Sequence, residues 1–422
     1  MKKNETIAII GLGYVGLPLA VEFAKFFNVI GFDINKKRIS ELKKGNDSTG
    51  ELSCSELNNV SNFFLTNSES NLIEAEIFIV TVPTPIDGVN KPDFTALKEA
   101  CKIIGKVLKK GDIVVFESTV YPGATNEICL PILEKISKLK FNIDFGIGYS
   151  PERINPGDKS RSIRDIVKVT SGSNETTADK VDSIYKKIIK AGIHRTKKIE
   201  IAEAAKVIEN TQRDINIALM NELSIICNKL NISTKDVLEA AGTKWNFINL
   251  KPGLVGGHCI GVDPYYLTEK ALQLGYKPEL ILAGRRINDS MPKYIVDEFL
   301  KFYLKKDCLK NSKKVLLMGI TFKEDCPDIR NSKSLEIANL LIDYGFKLDI
   351  YDPVADLTKN ILTKFNLIDE LNPSDYCAII IAVPHKEFKN LNLKNIKSIC
   401  TKDPLIFDIK GIFPKNETSW SL

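Results

Sequence analysis

A chain of 422 residues is longer than one ordinary core supports and implies two or three domains. Hydrophobic residues at 44% and charged residues at 27% match an average globular protein, which argues against a disordered or fibrous chain. The net charge of +6 comes from 59 basic and 53 acidic residues scattered along the sequence, so no basic patch points to nucleic acid, and only small anions such as phosphorylated metabolites would be attracted.

The opening stretch TIAIIGLGYVGLPLAVEFAKFFNVIGFDIN reads as strand, tight turn, helix and strand. Apolar strand candidates EIFIVTV, DIVVFEST and DFGIGYS follow, separated by helical patterns such as TALKEACKIIGKVLKK and TNEICLPILEKISKL. Strands alternating with helices predict a parallel sheet covered on both faces, which we assign to a first domain over residues 1–199. From Ile199 to Leu230 there is no Gly or Pro, and apolar residues recur at Ile201, Ala205, Ile208, Ile215, Leu219, Ile226 and Leu230. That spacing predicts one long helix, a possible dimer surface, in a helical middle domain over residues 200–304. A second alternation over 305–422 (KKVLLMGITF, SLEIANLLIDYG, KLDIYDP, YCAIIIAVPH, PLIFDIKG) predicts another α/β domain. The expected fold class is therefore α/β, two Rossmann-like domains with parallel sheets joined by a helical domain.

Gly11, Gly13 and Gly16 form GxGxxG between the first strand and the first helix, and Asp33 ends the next strand. The first glycine permits the turn, the second lets backbone approach a pyrophosphate, and the third lets helix and strand pack. The helix N-terminus favours the phosphate charge, and Asp33 would bind the ribose hydroxyls while repelling a 2′-phosphate, so the expected cofactor is NAD. Lys36, Lys37 and Arg38 begin the following helix, beyond that contact. The third part lacks such a turn and is expected to bind something other than a second dinucleotide.

The nine cysteines form no CxxC pair, so neither a disulfide framework nor a zinc ribbon is expected, and no metal. With no signal peptide and no apolar run near the roughly 18 residues of a membrane helix, a reducing cytoplasm is the expected location. One cysteine stands apart. In PGLVGGHCIGVDPYYL, Cys259 is crowded by Gly253, Gly256, Gly257 and Gly261, where backbone can turn sharply or let a ligand approach. A thiolate there could add to an aldehyde, and the thiohemiacetal could lose a second hydride to give a thioester that water cleaves. His258 is read as shaping this loop, and Tyr265 and Tyr266 as packing.

The motifs GLGYVGLPLA, VFESTVYPGAT, SPERINPGD, AEAAKVIENTQRDINIALMNE, GGHCIGVDPYYL and GITFKEDCPDIRNSKS, in this order, resemble those of the UDP-glucose/GDP-mannose dehydrogenases. The resemblance implies oxidation of the C6 hydroxymethyl of a nucleotide sugar to a carboxylate with two NAD, in a homodimer or higher oligomer, with the cofactor cleft between the outer domains. It implies Cys259 as nucleophile, Lys206 and Asn210 as stabilisers of the oxygen, Asp263 as the water-activating residue, Glu152 in thioester hydrolysis, and Thr119 near the nicotinamide. It also implies Tyr14, Val15, Arg38, Thr84 and Arg330 at NAD, and Arg153, Gly256 and Lys323 at the nucleotide sugar. Val262 stands where UDP-glucose members carry a lysine, and Pro156 in PERINPG where they carry a second glutamate. Both departures are similar to UDP-N-acetylhexosamine 6-dehydrogenases of capsule and O-antigen synthesis, so the expected substrate is UDP-GlcNAc or UDP-GalNAc, then UDP-ManNAc, with UDP-glucose behind. A two-electron hydroxyacid dehydrogenase, with Cys259 a bystander, is the rival enzyme.

Overall fold

The computed structural model describes residues 5–154, 162–306, 312–356 and 364–422; Pro156 lies outside the described residues. It has two compact units. One comprises the residues up to Glu209 together with Tyr265–Lys277, the other Asn210–Pro264 together with Pro278–Leu422.

The first unit is built on eight strands: β1 (Thr6–Ile10), β2 (Asn28–Phe32), β3 (Phe63–Thr66), β4 (Ile77–Val80), β5 (Ile113–Phe116), β6 (Gly146–Tyr149), β7 (Lys168–Gly172) and β8 (Ile193–Arg195). Their order across the sheet is β3-β2-β1-β4-β5-β6-β7-β8. The strands from β3 to β6 are parallel to their neighbours, β7 is antiparallel to β6, and β8 runs parallel to β7. β4 has no polar residue and every side chain in it is buried, as expected of a strand covered on both faces. Ile7, Ile9, Leu17, Phe23, Ile79, Val115 and Tyr185 pack together in its core. The strand order reverses at β1/β4, and crevices outside the carboxyl ends at such switch points are where open α/β sheets bind ligands.

The second unit carries β9 (Lys314–Met318), β10 (Lys347–Tyr351), β11 (Asn366–Leu367), β12 (Tyr376–Ile381) and β13 (Cys400–Asp408), all parallel, in the order β11-β10-β9-β12-β13. Met291, Ile295, Val296 and Phe299 of the helix Glu279–Lys305 pack with Leu317, Ile380 and Phe407 of the sheet. On the sheet's other residues, Leu316, Met318, Ile379 and Ile381 gather around Phe388 and Ile396. The chain is thus α/β with two Rossmann-like sheets and a long helix at Ile199–Leu230.

In that helix the apolar stripe legible in the sequence is not the core face. Ile201, Ile208, Leu219, Ile226 and Leu230 are between 46% and 63% exposed, while Ala202, Val207, Ala218, Met220 and Cys227 are buried. The smaller or more flexible side chains face inward, and the periodic large ones are left for solvent or a partner.

Gly16 shows how tightly the first turn is built: a Cβ there would fall on the Gly11 carbonyl oxygen and the Thr81 hydroxyl. Gly16→Ala must push backbone apart, and overpacking of this kind costs about 1–3 kcal/mol. Denaturant unfolding of the variant should show a lower midpoint; an unchanged midpoint would contradict the packing described.

Candidate active site

In the first unit the glycine turn is held from several sides. Gly11 adopts φ +98°, its N–H donates to the Phe32 carbonyl at 2.8 Å, and the Thr81 hydroxyl donates to its carbonyl at 2.7 Å. The Asp33 carboxylate, at the end of β2, accepts the Leu12 N–H at 2.9 Å and the Asn35 N–H at 2.8 Å. A Cβ on Gly13 would meet nothing within 4 Å, so open space lies over the turn. The helix Gly16–Ala24 that follows, entered through Val15, has no side-chain cap and no acidic residue in its first turn. Open backbone, uncapped N–H groups and Asp33 together fit the pyrophosphate and ribose of NAD. Tyr14 belongs to the same turn.

Arg38 is buried, and its guanidinium is committed to the fold: Nε donates to the Leu12 carbonyl at 2.9 Å and Nη2 pairs with Asp47 at 2.7 Å. It braces the glycine turn from beneath. Thr84 donates its hydroxyl to the Thr119 carbonyl at 2.7 Å, and the buried Tyr266 donates its hydroxyl to the Thr84 carbonyl at 2.5 Å. Those contacts tie the loops after β4 and β5 together.

Glu152 follows β6 and is buried, with one carboxylate oxygen accepting the N–H groups of Arg153 and Ile154 and the other facing Lys168 Nζ at 3.1 Å. Burial alone would raise its pKa, but the Lys168 charge and these hydrogen bonds outweigh that and hold it below the usual carboxylate value. Arg153 forks onto Glu209 at 2.7 and 3.2 Å and donates to the Val167 carbonyl. Lys206 is buried, with no ion-pair partner among the described residues.

In the second unit Cys259, Asn210 and Asp263 come together. The Asp263 N–H donates to the Cys259 carbonyl at 2.8 Å, and Asn210 donates one amide hydrogen to the Asp263 carboxylate at 2.5 Å, both side chains being buried. Asn210 lies one turn beyond Lys206 on the long helix. Upstream, Asn221 holds Gly253 with both amide groups, donating to its carbonyl at 3.0 Å and accepting its N–H at 2.7 Å. Val262 is buried.

The glycines before Cys259 are explained by the loop facing them. A Cβ on Gly256 would sit 2.5 Å from the Asn331 carbonyl oxygen. Gly257 has φ +83°, and a Cβ there would be 2.5 Å from the Phe322 ring. His258 stacks edge-on against Phe322 and hydrogen-bonds Asp328 through Nε2 at 2.7 Å, which gives this histidine the loop-shaping role expected of it. Asp328 also accepts from the Arg330 backbone and guanidinium. Burial pushes the Asp328 carboxyl up, but His258 and Arg330 outweigh it and hold it far below the usual carboxylate range. The segment carrying Lys323 and Arg330 is thereby joined to the one carrying Cys259. Sequence reasoning missed Asp328 and Phe322 as partners of the cysteine turn; the excess of glycine around Cys259 was the one available signal that something packs closely there.

The chain matches three models of the UDP-glucose/GDP-mannose dehydrogenase family: the NAD binding domain over residues 5–189, the central domain over 200–290 and the UDP binding domain over 316–415. It is 53% identical to a UDP-N-acetyl-D-glucosamine 6-dehydrogenase of Pseudomonas aeruginosa, with all of both chains covered. It is 50% identical to one of Salmonella typhi, with 98% of this chain and 97% of the other covered. Among solved structures, a UDP-D-ManNAc dehydrogenase from Pyrococcus horikoshii superposes with a TM-score of 0.87 at 30% identity, covering 97% of this chain and 96% of the other.

Because the folded-state pKa of Asp328 is depressed, its stabilisation is complete above the unfolded-chain value of roughly 3.9 and is lost as pH falls below it. Asp328→Asn should cost about 1–3 kcal/mol at neutral pH, the range for hydrogen bonds to a charged group discounted for the exposure of its partners. The gap from wild type should narrow in urea melts taken at successively lower pH; a gap that stays constant with pH would contradict the ion-pair role.

Proposed function

The chain belongs to the UDP-glucose/GDP-mannose dehydrogenase family, and we propose that it oxidises the C6 hydroxymethyl of UDP-N-acetylglucosamine to the carboxylate through a covalent intermediate on Cys259. The observation that carries this reading is the Cys259 turn, whose carbonyl accepts the N–H of the Asn210-bonded Asp263 and whose Gly256 and Gly257 leave no room for a larger residue. End-to-end identity of 53% and 50% with UDP-N-acetyl-D-glucosamine 6-dehydrogenases, against 30% with the UDP-D-ManNAc enzyme, favours the GlcNAc sugar. UDP-N-acetylgalactosamine, UDP-N-acetylmannosamine and UDP-glucose follow in that order.

Held by the glycine turn and Asp33, NAD would supply the hydride acceptor for both oxidations of C6. Asp263 takes the proton of the hydroxyl by way of water in the first, and the product is the aldehyde. The Cys259 sulfur then bonds to the aldehyde carbon, whose oxygen takes the displaced electron pair and a proton. Lys206, an ammonium without an ion-pair partner among the described residues, and the second amide hydrogen of Asn210 stabilise that oxygen. Loss of a hydride from the thiohemiacetal carbon and of its hydroxyl proton to water leaves a thioester. Water bonds to its carbonyl carbon, Glu152 takes the water's proton, and the Cys259 sulfur leaves with the electron pair. Arg153, Gly256 and Lys323 would bind the nucleotide sugar; Asp33, Arg330 and the glycine turn would bind NAD.

Residues 1–199, 200–304 and 305–422 would act as NAD-binding, helical and UDP-sugar-binding domains. The enzyme would work in the cytoplasm, feeding capsule or O-antigen synthesis, and no helix among the described residues is long and apolar enough to cross a membrane. It would be a homodimer, or a higher oligomer built from such dimers, paired through the exposed apolar stripe of the long helix. Ile208→Asp with Leu219→Asp should then shift light-scattering mass from dimer to monomer; a wild-type monomer would contradict the dimer.

Offered the four UDP-sugars separately, the enzyme should turn over UDP-N-acetylglucosamine fastest and release two NADH per sugar; one NADH per sugar would support the two-electron rival. Lys206→Met should lower kcat by roughly 10²–10³-fold, the usual effect of losing an oxyanion donor. Cys259→Ser should make no uronate while still binding NAD, and full turnover by it would refute the covalent role.

A further inference from the structure

At the carboxyl ends of β5 and β6 and the start of β7, three charged side chains meet in the buried interior. Lys168 Nζ lies 2.7 Å from Glu117 Oε2 and 3.1 Å from Glu152 Oε2, and all three side chains are at most 9% exposed. Behind Glu117, the buried Tyr185 donates its hydroxyl to the other oxygen, and its ring lies 5.2 Å from the Lys168 ammonium. Surrounding charges are already paired: Arg153 with Glu209, and Asp182 with Arg195. Glu203 of the long helix accepts the N–H groups of Gly123 and Thr125.

Two carboxylates thus share one ammonium. With both ionised the cluster is a buried net anion, an arrangement a low-dielectric interior penalises and relieves by binding one proton. The proton's place is set by the partners. Glu152 has Lys168 and two backbone N–H groups, whereas Glu117 has Lys168 and a phenol. Burial pushes Glu117 up to about 7, the Glu152 charge adding to it, while Glu152 stays below its ordinary value. Near neutral pH, Glu152 is therefore ionised and Glu117 is changing charge beside it.

We propose that Glu117 is a positioning residue that tunes Glu152: as the second carboxylate on Lys168, its charge sets how strongly Lys168 holds Glu152 as an anion and how readily Glu152 takes a proton from water. The inference rests on the reading of Glu152 as the residue that accepts the water proton in thioester hydrolysis. When Glu117 is protonated, Lys168 attends to Glu152 alone and makes it a weaker base. When Glu117 ionises, it competes for Lys168 and repels Glu152, whose basicity rises.

The test is the rate of uronate formation from UDP-N-acetylglucosamine after the second NADH has appeared, followed by rapid quench across about pH 5–9, where the acids and bases of catalysis titrate. Wild type should rise through an inflection near 7, on the order of 3–10-fold in height for a Brønsted-type response. Glu117→Gln, fixed in the uncharged form, should lose the inflection and stay at the low-pH plateau. Tyr185→Phe, which removes a donor that favours the Glu117 anion with little change of shape, should move the inflection to higher pH. Infrared difference spectra should show a protonated-carboxyl stretch titrating near 7 in wild type and absent from Glu117→Gln. An undiminished inflection in Glu117→Gln, or no such band in wild type, would overturn the tuning role. Full hydrolysis by Glu152→Gln would instead overturn the reading of Glu152 beneath it.

Discussion

The ring of Phe322 fills the space that any side chain at position 257 would need, and this single steric fact organises the chemistry of the second unit. Because residue 257 must be glycine in a left-handed conformation, the chain reverses there and delivers Cys259 into a turn rather than a strand or helix. Asp328 fastens the turn through His258, Asn221 fastens its start at Gly253, and Asp263 closes it onto the Cys259 carbonyl. The nucleophile proposed at Cys259 would gain from being held within a few tenths of an ångström of its working position, and each of these contacts restrains the turn that carries it.

The first unit solves a different problem with similar means. Its glycine turn must stay open for a phosphate-bearing cofactor, so the side chains that rigidify it come from beneath: Arg38 on the Leu12 carbonyl, Thr81 on the Gly11 carbonyl, and Asp33 on the Leu12 N–H. The uncapped helix start is costly in an ordinary protein but is appropriate where an anion will supply the missing acceptor. In the same unit, the Glu117–Lys168–Glu152 cluster stores charge in a place a purely structural core would fill with aliphatic residues.

Much of this was legible in the sequence because it follows from local pattern. The apolar run Ile77–Val80, the Gly11–Gly16 turn with Asp33 at the end of the next strand, and the glycine excess around Cys259 each state a backbone requirement within a few residues. What stayed hidden depends on pairing across the chain. His258 and Asp328 are 70 residues apart, and Lys168 and Glu117 are 51 apart, so neither pair leaves a local trace. The resemblance puts Arg38 at NAD; its burial and its bond to the Leu12 carbonyl, 26 residues away, add a bracing contact to the cofactor turn that no spacing rule could reveal. The stripe from Ile201 to Leu230 announced a helix correctly but not which face would be covered, since periodicity is blind to whether the apolar side meets a core or a partner.

The central claim is that the sugar's terminal carbon is bonded to the Cys259 sulfur between the two oxidations and hydrolysis. Mass spectrometry of Glu152→Gln protein, quenched in acid during turnover with NAD and UDP-N-acetylglucosamine, measures this directly. A sugar-nucleotide adduct on the peptide containing Cys259 is the predicted result. Uronate accumulating in that sample while the Cys259 peptide remains unmodified would contradict the account.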